Sequence, residues 1–280
     1  MMSMTTDASR IAETSARLMV ENIPIYLIDR GSGPPTLMLH GIFDTADTWA
    51  GVVEGAAGSL RCLVPDLPGF GRSGAAPNFD ASLPGLAQFV ESLVSELGIR
   101  EPINVVGYDI GATYGLAWAV THPERVRRLA IMNANFFSDY QWHGWAKVWR
   151  TPILGELMLK ALSPASFASA MLKSAPKIDP ALAKAAGAML TPAAGRMALK
   201  HYRSLDSASF RGWQERLWEL TARVPTLVCW GDQDPYIGPS YAERFGAQQV
   251  HHFPENSHWL PLEQPQAIAA HLREFLGEAR

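Results

Sequence analysis

A chain of 280 residues is long enough to form one large α/β domain with a substantial core, with or without an insertion. Its 24 basic and 27 acidic residues give a net charge of −3, and neither sign forms a long run. This balance does not favour a nucleic-acid partner or an anionic membrane surface, and a small uncharged ligand fits it better.

The first residues, MMSMTTDASRIAETSAR, are polar and lack the apolar segment of a secretory signal. No apolar run approaches the length that spans a membrane. We therefore expect a flexible tail over residues 1–17 and a cytoplasmic protein without a membrane partner. Cys62 and Cys229 stand in apolar stretches typical of strands, where a free thiol behaves as a small hydrophobic side chain, so a disulfide is not expected.

Strands and helices alternate along most of the chain. A hairpin is predicted for RLMVENIPIYLIDRG, and further strands for PPTLMLHG, RCLVPDLPG, INVVGYD, RLAIMNAN and PTLVCWGDQD. Helical spacing is found in LPGLAQFVESLVSELG and GATYGLAWAVTHPERV. This alternation predicts a mostly parallel sheet with helices on both faces, built from residues 18–135 and 222–280.

Between residues 136 and 221 the alternation stops, and the sequence becomes rich in Ala, Leu and Met with several prolines. We predict that this segment is a helical cap inserted into the α/β core. It carries seven Tyr and Trp residues, of which most are expected to pack inside the cap and some to face a pocket. They are Tyr140, Trp142, Trp145, Trp149, Tyr202, Trp213 and Trp218.

The segment GYDIGA, residues 107–112, directly follows the apolar run INVV and precedes a predicted helix. A strand, a central side chain between small residues, and then a helix form the nucleophile-elbow pattern, in which a tight turn lifts the central side chain above the sheet. Gly107 and Gly111 are two of the small residues, and Asp109 is the central one. The pattern alone leaves an alternative open, because an Asp there could simply cap the helix.

Other segments supply the partners that such a nucleophile needs. His40 and the following glycine end an early strand, so the backbone N–H of Ile42 can join that of Ile110 in an oxyanion hole. WGDQDPYI brings acidic residues to the end of the strand after the insertion, and ENSHWLPLEQP places His258 in the following loop. The chain order is therefore nucleophile, acid, histidine.

With these residues the chain resembles the α/β-hydrolase family over nearly its full length. DLPGFGRSG, residues 66–74, resembles the family's Asp-x-Pro-Gly-x-Gly-x-Ser loop, and HPERV resembles the end of the helix after the nucleophile. The resemblance implies the α/β-hydrolase fold, with a mostly parallel central sheet, flanking helices and a helical cap insertion. It also implies that Asp109 is the nucleophile and His258 the base.

The resemblance assigns the acid position to Asp234, which directly precedes Pro235, and not to Asp232. It gives His40 a structural place in the oxyanion loop and makes Asp66 a residue that shapes its own loop. Four further histidines match no motif of the family: His122, His201, His251 and His252.

An aspartate at the elbow changes the chemistry that is expected. A Ser hydroxyl must lose a proton before it attacks, whereas an Asp is normally ionised at neutral pH. A carboxylate displaces a leaving group from a saturated carbon and becomes an alkyl ester, while acyl transfer to Asp109 would give an anhydride. We therefore expect His258, oriented by Asp234, to activate water that hydrolyses this ester. No metal or organic cofactor is expected.

Within the family, Asp nucleophiles are typical of epoxide hydrolases, haloalkane dehalogenases and fluoroacetate dehalogenases. The haloalkane enzymes usually have Trp after the nucleophile and often Asn after His-Gly, where this chain has Ile110 and Ile42. Fluoroacetate dehalogenases bind their substrate with arginines just after the nucleophile, where this chain has Ile110 and then Thr113 and Tyr114. The resemblance therefore favours an epoxide over a halide as the reacting group.

The segment KHYRSLD resembles the Tyr-Arg segment that supplies a ring-opening tyrosine in epoxide hydrolases, and Tyr202 matches it. A phenol stays protonated at neutral pH and can donate to the epoxide oxygen. Tyr140 and His143 are candidates for a first donor from the cap, and Trp142 is a candidate N–H donor for a halide. The sequence thus predicts hydrolysis of an apolar epoxide to a vicinal diol by a monomer or homodimer. A haloalkane dehalogenase is the alternative, and a ligand receptor or scaffold on the same fold is the non-enzyme alternative.

Overall fold

The computed structural model describes residues 13–277, which contain one sheet of eight strands. In chain order the strands are β1 (Glu13–Val20), β2 (Ile23–Arg30), β3 (Pro35–Leu39), β4 (Arg61–Pro65), β5 (Ile103–Tyr108), β6 (Val126–Met132), β7 (Thr226–Gly231) and β8 (Gln249–Phe253). In space they follow the order β1-β2-β4-β3-β5-β6-β7-β8. β2 is antiparallel to both of its neighbours, and the strands from β4 to β8 run parallel. The mostly parallel sheet that the alternation predicts is confirmed.

The hairpin of β1 and β2 starts earlier than predicted. Its turn consists of Glu21 and Asn22, whose φ angles of 50° and 63° are the left-handed values that match a two-residue turn to the twist of the strands. The predicted tail of residues 1–17 is too long, because residues 13–17 already pair in β1. These five residues are mostly polar, so the sequence has no apolar alternation there that would predict a strand. Residues 1–12 lie outside the described part of the chain.

Helices cover both faces of the sheet. The α-helices of the described residues are α1 (Ala50–Ala56), α2 (Leu83–Glu96), α3 (Ile110–Thr121), α4 (Gly144–Arg150), α5 (Leu154–Ala161), α6 (Pro164–Ser174), α7 (Pro180–Ala188), α8 (Pro192–Ser204), α9 (Trp213–Thr221), α10 (Leu260–Glu263) and α11 (Pro265–Gly277). α2, α3 and α9 pack on one face, and α1 and α11 on the other. Successive residues of a strand point to opposite faces, so Leu37 and Leu39 join the first layer and Met38 joins the second.

Helix α3 lies at the centre of the molecule. All of its residues from 110 to 120 are buried, as expected for a helix that is apolar or small on every side. It follows β5, which lies between β3 and β6 in the middle of the sheet. Asp109, which joins β5 to α3, therefore lies between a central strand and a buried helix.

The segment between β6 and β7 contains α4 to α9 and no strand, as the composition of residues 136–221 predicts. Its last helix differs in position from the others. α9 packs on α3, and Leu217 and Leu220 join the core layer of that face of the sheet. The predicted cap boundary at residue 221 is therefore too late, and we call residues 136–212, which precede α9, the insert.

Several smaller features complete the fold. β8, whose sequence QVHHF is polar and half exposed at the edge of the sheet, is a strand that the apolar pattern does not predict. Cys62 and Cys229 are both buried free thiols, as expected. Within residues 13–277, every helix is too short or too polar to cross a membrane.

Candidate active site

A pocket of about 840 Å³, including its open mouth, lies between the carboxyl ends of the strands and the insert. Loops that follow β3, β5, β6, β7 and β8 supply one side of it, because parallel strands all end at the same edge of the sheet. From these loops come Ile42, Phe43, Asp109, Ile110, Asn135, Tyr236, Ile237, His258 and Trp259. The insert contributes the other side, with Tyr140, Trp142, His143, Trp149, Phe167, His201, Tyr202, Leu205 and Phe210.

Asp109 occupies the sharp turn between β5 and α3 that its glycine-rich surroundings predict. Its φ of 51° and ψ of −124° are costly for a residue with a side chain, on the order of 1 to 3 kcal/mol. A Cβ on Gly107 would lie 2.4 Å from the Cα of Ala112, and a Cβ on Gly111 would lie 2.2 Å from the carbonyl oxygen of Leu39. Only glycine fits at these two places, and the close packing that results forces the Asp109 side chain upward into the pocket.

Backbone N–H groups stabilise this carboxylate. The N–H of Ile42 donates to Oδ2 of Asp109 at 2.8 Å, and the N–H of Ile110 also hydrogen-bonds this carboxylate. Burial raises the pKa of the Asp109 carboxyl, while the charge of His258 and these two N–H groups oppose that rise. The two predicted oxyanion-hole donors therefore already meet on the nucleophile itself.

The loops around this hole are fixed by the two residues predicted to be structural. His40 is fully buried and bridges the loops, because its Nδ1 donates to the carbonyl of Gly41 at 2.8 Å and its Nε2 accepts the N–H of Leu67 at 2.8 Å. Burial lowers the pKa of His40, which keeps this neutral form. Asp66 accepts the N–H of Ala46 at 2.6 Å and the guanidinium of Arg72 at 2.8 Å.

His258 and Asp234 form the predicted pair. Nδ1 of His258 lies 2.7 Å from Oδ2 of Asp234, and both side chains are almost fully buried. The other oxygen of Asp234 accepts the backbone N–H groups of Tyr236 at 2.7 Å and Ile237 at 3.0 Å. Asn133 donates from Nδ2 to Oδ2 of Asp234 at 2.9 Å. Each oxygen of Asp234 thus accepts two hydrogen bonds, and these four bonds hold the carboxylate in its orientation toward the imidazole.

The second nitrogen of His258 faces the nucleophile. Nε2 lies 3.9 Å from Oδ1 of Asp109, which is too long for a direct hydrogen bond. Burial lowers the pKa of His258, but the carboxylates of Asp234 and Asp109 outweigh it and raise the pKa to about 9. In the resting site the imidazole is therefore positively charged and balances two carboxylates.

The candidate donors Tyr202 and His143 both line the pocket in their neutral forms. Tyr202, on α8, lines the pocket beside the rings of Trp142 and Trp149 at 5.6 and 5.0 Å, and burial raises the pKa of its phenol. His143 accepts the N–H of Ala146 at 3.3 Å through Nδ1, so its neutral form carries the proton on Nε2. Burial lowers the pKa of His143 to about 4, which keeps it neutral.

Tyr140 and Trp142 differ in whether their donor groups already have an acceptor. The hydroxyl of Tyr140 donates to the carbonyl of Tyr236 at 3.0 Å, so its proton is already in use. The indole Nε1 of Trp142 is buried and has no acceptor among residues 13–277. Trp142 is therefore the one of these two whose donor is free for a ligand.

Asp232 and the four histidines that match no family motif have other partners. Asp232 pairs with Nδ1 of His252 at 2.6 Å, near the exposed end of the sheet. His251 stacks on His271, with ring centroids 4.2 Å apart. His201 does line the pocket, but its Nε2 accepts the hydroxyl of Tyr114 at 2.8 Å. His122 stacks on Trp118 at 5.8 Å.

Three residues of the site have no signal in the sequence. Asn133 and Tyr236 hold Asp234, as described above. The third is Asp44, which is 3% exposed and has no hydrogen-bond partner for Oδ2 within residues 13–277. A Cβ on Gly41 would lie 3.0 Å from Oδ2 of both Asp44 and Asp109, so the two carboxyl groups flank one point. Burial and the charge of Asp109 raise the pKa of Asp44 to about 7.

The geometry of these groups allows the Asp109 carboxylate to approach a carbon atom of a bound ligand. No set of three or more His, Cys, Asp or Glu residues in the described chain is grouped to hold a metal ion. Oδ2 of Asp109 accepts the N–H of Ile42, and Oδ1 faces the imidazole of His258. The imidazole of His258 lies where it can deliver water to the same carboxyl carbon.

Comparison with known proteins agrees with this architecture. A family model described as alpha/beta hydrolase fold matches residues 34–265. A curated protein of Shewanella oneidensis, named cis-3-alkyl-4-alkyloxetan-2-one decarboxylase, is 24% identical, with 91% of this chain and 85% of that protein covered. A haloalkane dehalogenase of Mesorhizobium japonicum is 26% identical, with 90% of this chain and 87% of that protein covered.

Solved structures are similar at the level of the fold. The epoxide hydrolase VrEH1 of Vigna radiata superimposes with a TM-score of 0.78 over 94% of this chain and 97% of that chain, at 16% sequence identity. At this identity the likeness shows the shared fold alone.

The elbow predicts a sharp local sensitivity to size. The substitution Gly111→Ala places a methyl group 2.2 Å from the carbonyl oxygen of Leu39, so we expect a loss of about 2 kcal/mol or more of unfolding free energy. Gly58→Ala is the matched control, because a Cβ there meets no atom within 4 Å. Urea unfolding of both variants measures the difference, and an equal effect of the two would contradict the proposed packing of the elbow.

The buried carboxyl of Asp44 predicts a pH-dependent stability difference. Its folded-state pKa of about 7 lies above the unfolded value, so its stabilising protonation is complete below about pH 4 and is lost as pH rises through 7. In Asp44→Asn the ionisation is removed. The variant should therefore gain stability relative to wild type across this window, by on the order of 3 to 4 kcal/mol above pH 7. Thermal or urea unfolding at several pH values measures it.

A flat difference between wild type and Asp44→Asn over this pH range would show that Asp44 titrates normally. Glu54→Gln on α1 is the control, because it makes the same acid-to-amide change at an exposed side chain.

Proposed function

This chain belongs to the alpha/beta hydrolase fold family, and on that basis we propose that it is a hydrolase that opens an apolar epoxide to a vicinal diol. The observation that carries the proposal is a carboxylate at the elbow. Oδ2 of Asp109 accepts the N–H of Ile42 at 2.8 Å, and its Oδ1 faces His258 across 3.9 Å. This is the geometry of a nucleophile that becomes an ester and is then released by water.

The first step is displacement at a saturated carbon. Oδ1 of Asp109 forms a bond to one ring carbon of the epoxide, and the bond from that carbon to the ring oxygen breaks. The ring oxygen takes a proton as it leaves. Strain in the three-membered ring lowers the barrier, so a carboxylate held by hydrogen bonds and aimed at the carbon is sufficient.

Tyr202 is proposed as the donor of that proton, because it lines the pocket on the side of the insert that faces Asp109. The Asp109 charge adds to burial in raising the pKa of the Tyr202 phenol, so this group is protonated before the reaction. Nε2–H of His143, a neutral imidazole on the same wall, is proposed as a second hydrogen bond to the oxygen. The two groups bind the charge that develops in the transition state.

The second step is hydrolysis of the ester. Formation of the ester removes the charge of Asp109, which is one of the causes that hold the pKa of His258 near 9. The imidazole then gives its proton to the phenolate that Tyr202 has become, and Nε2 of the neutral ring accepts a proton from water. The hydroxide formed attacks the carboxyl carbon of Asp109, the negative charge on Oδ2 meets the N–H groups of Ile42 and Ile110, and the diol leaves with the proton of His258.

Hydrolysis of a carbon–halogen bond is the second candidate function. The free indole N–H of Trp142 favours it, since a departing halide needs N–H donors and this one has no other acceptor in the described chain. Against it, the two places that usually supply halide donors hold Ile42 and Ile110. A scaffold without catalysis is not favoured, because Asp109 is neither far from His258 nor unpaired.

The covalent intermediate provides the main test. His258→Ala should complete the first step and stop, because no base remains to activate water, and its mass should rise by the mass of the added electrophile. We propose to offer this variant epoxides, chloroalkanes and bromoalkanes, and cis-dialkyl oxetan-2-ones as a third class. Intact-protein mass spectrometry followed by peptide mapping identifies the adduct, which should come from epoxides and lie on Asp109.

The double variant Asp109→Asn, His258→Ala is the control and should gain no mass. Adducts from halides alone, with release of free halide, would transfer the assignment to a dehalogenase. Adducts from oxetanones alone would assign the protein to ring-opening of a different strained oxygen heterocycle, and no adduct from any class would support the scaffold alternative.

The role of Tyr202 predicts a selective defect. Tyr202→Phe keeps the ring and removes the proton donor, so the rate of epoxide opening should fall by about a hundredfold or more. Rapid-quench measurement of ester formation isolates this step. Any residual reaction with a bromoalkane is the internal control, because bromide leaves without a proton and its displacement should change little. A variant with wild-type epoxide opening would remove Tyr202 from the mechanism.

A further inference from the structure

A second cavity of about 690 Å³, including its open mouth, lies beside the active-site pocket. α4, α5 and α6 of the insert form three of its sides, and the loops after β7 and β8 form the base. Ala161, Ala170 and Trp145 lie near its mouth, and Trp145 is 54% exposed. The mechanism described above uses none of these three residues.

Only a layer of rings separates the two cavities. Trp149, Phe167, Tyr236 and Trp259 line both of them. On the active-site side of this layer the ring of His258 lies 5.0 Å from that of Tyr236. A substituent on a carbon bonded to Asp109 therefore needs to pass only one side-chain layer to enter the second cavity.

The lining of the second cavity selects for hydrocarbon. It contains no charged residue, and its polar groups are the hydroxyls of Ser166 and Tyr236 and the indole N–H groups of three tryptophans. Met158 and Met171 add flexible, polarisable side chains that adapt to a chain of variable shape. A ligand with charges or many hydrogen-bonding groups would lose its hydration here without replacement, whereas an alkyl chain gains from leaving water.

We propose that the second cavity is the binding site for a long, unbranched alkyl arm of the substrate, whose reacting carbon lies at Asp109. The cavity thereby sets the substrate class as long-chain compounds. The identity of the reacting group in this statement rests on the function proposed above, but binding of the chain does not. The two can therefore be tested separately.

Binding of unreactive chains tests the site directly. Trp145, Trp149 and Trp259 line the cavity, so intrinsic tryptophan fluorescence reports its occupation. We propose to titrate the protein with n-alkanols from butanol to dodecanol. Affinity should rise about fourfold for each added methylene until the cavity is full, which corresponds to ~0.8 kcal/mol per buried CH₂.

Two variants fill the cavity from its mouth. Ala170→Trp on α6 and Ala161→Trp on α5 replace exposed small residues that line the second cavity and not the active-site pocket, so at least one should fold normally. Both should abolish the gain in affinity for the longer alkanols. Ala165→Trp is the matched control, since Ala165 is also exposed on α6 but lies outside the lining, and it should bind dodecanol like wild type.

Two results would overturn the proposal. The first is an alkanol affinity of wild type that does not depend on chain length. The second is dodecanol affinity in a folded Ala170→Trp or Ala161→Trp variant equal to that of wild type, since the chain would then lie elsewhere.

Turnover provides the link to the reaction. With terminal epoxides from butene oxide to dodecene oxide, kcat/KM of wild type should rise with chain length, while the filled variants should keep wild-type activity on butene oxide and lose the rise. Failure of every epoxide to react would reject the proposed function, and the alkanol titration would then decide by itself whether the cavity binds the chain. Reaction of epoxides with no effect of the filling variants would reject the cavity and keep the function.

Discussion

The structure of the site depends on keeping one carboxylate ionised where protein replaces water. A buried charge without compensation costs several kcal/mol, and the Asp109 carboxylate also sits on a strained backbone. Its compensation comes from three directions: the N–H of Ile42, the N–H of Ile110 and the imidazolium of His258. In the proposed reaction, the same groups that stabilise the resting anion also stabilise the oxyanion of ester hydrolysis. The resting state and the reaction thus share one electrostatic arrangement.

This arrangement explains why so much of the surrounding polar structure is fully bonded. Asp234 is held by Asn133 and by two backbone N–H groups, and it fixes the imidazole that must meet Asp109. Two groups of the site are exceptions: the indole N–H of Trp142, and Asp44, which has an unbonded buried oxygen beside Asp109. Its raised pKa lets it remain neutral next to Asp109, so a second acid is tolerated there without a second buried charge.

The two sides of the pocket have different chemistry because they come from different parts of the chain. The strand ends supply the nucleophile, the hole and the histidine pair, and all of them stand on the rigid sheet. The insert supplies aromatic rings, a phenol and a neutral imidazole, and it contains the second apolar cavity. In the proposed reaction the core therefore supplies the nucleophile and the base, and the insert supplies the proton donors and the contacts that select the substrate.

The sequence alone determined the strand and helix alternation, the elbow at Asp109 and the order of acid and histidine, because these depend on local periodicity and short-range motifs. It also set Asp234 apart from Asp232 through the neighbouring Pro235. It missed β8 and residues 13–17, whose polar side chains at the margin of the sheet carry no apolar pattern. It also placed α9 in the cap, because a helix that packs on α3 has the same composition as one that does not.

Only the tertiary structure decided which side chains meet. Asn133 reaches Asp234 across 101 positions of the chain, and Asp44 approaches Asp109 across the turn at Gly41. The same holds for two donors of the insert: the indole N–H of Trp142 has no acceptor among the described residues, whereas the hydroxyl of Tyr140 has one. It also holds for the second cavity among α4, α5 and α6. The physical reason is that hydrogen bonding, burial and shifts of pKa depend on distances between residues far apart in sequence, and no local pattern encodes those distances.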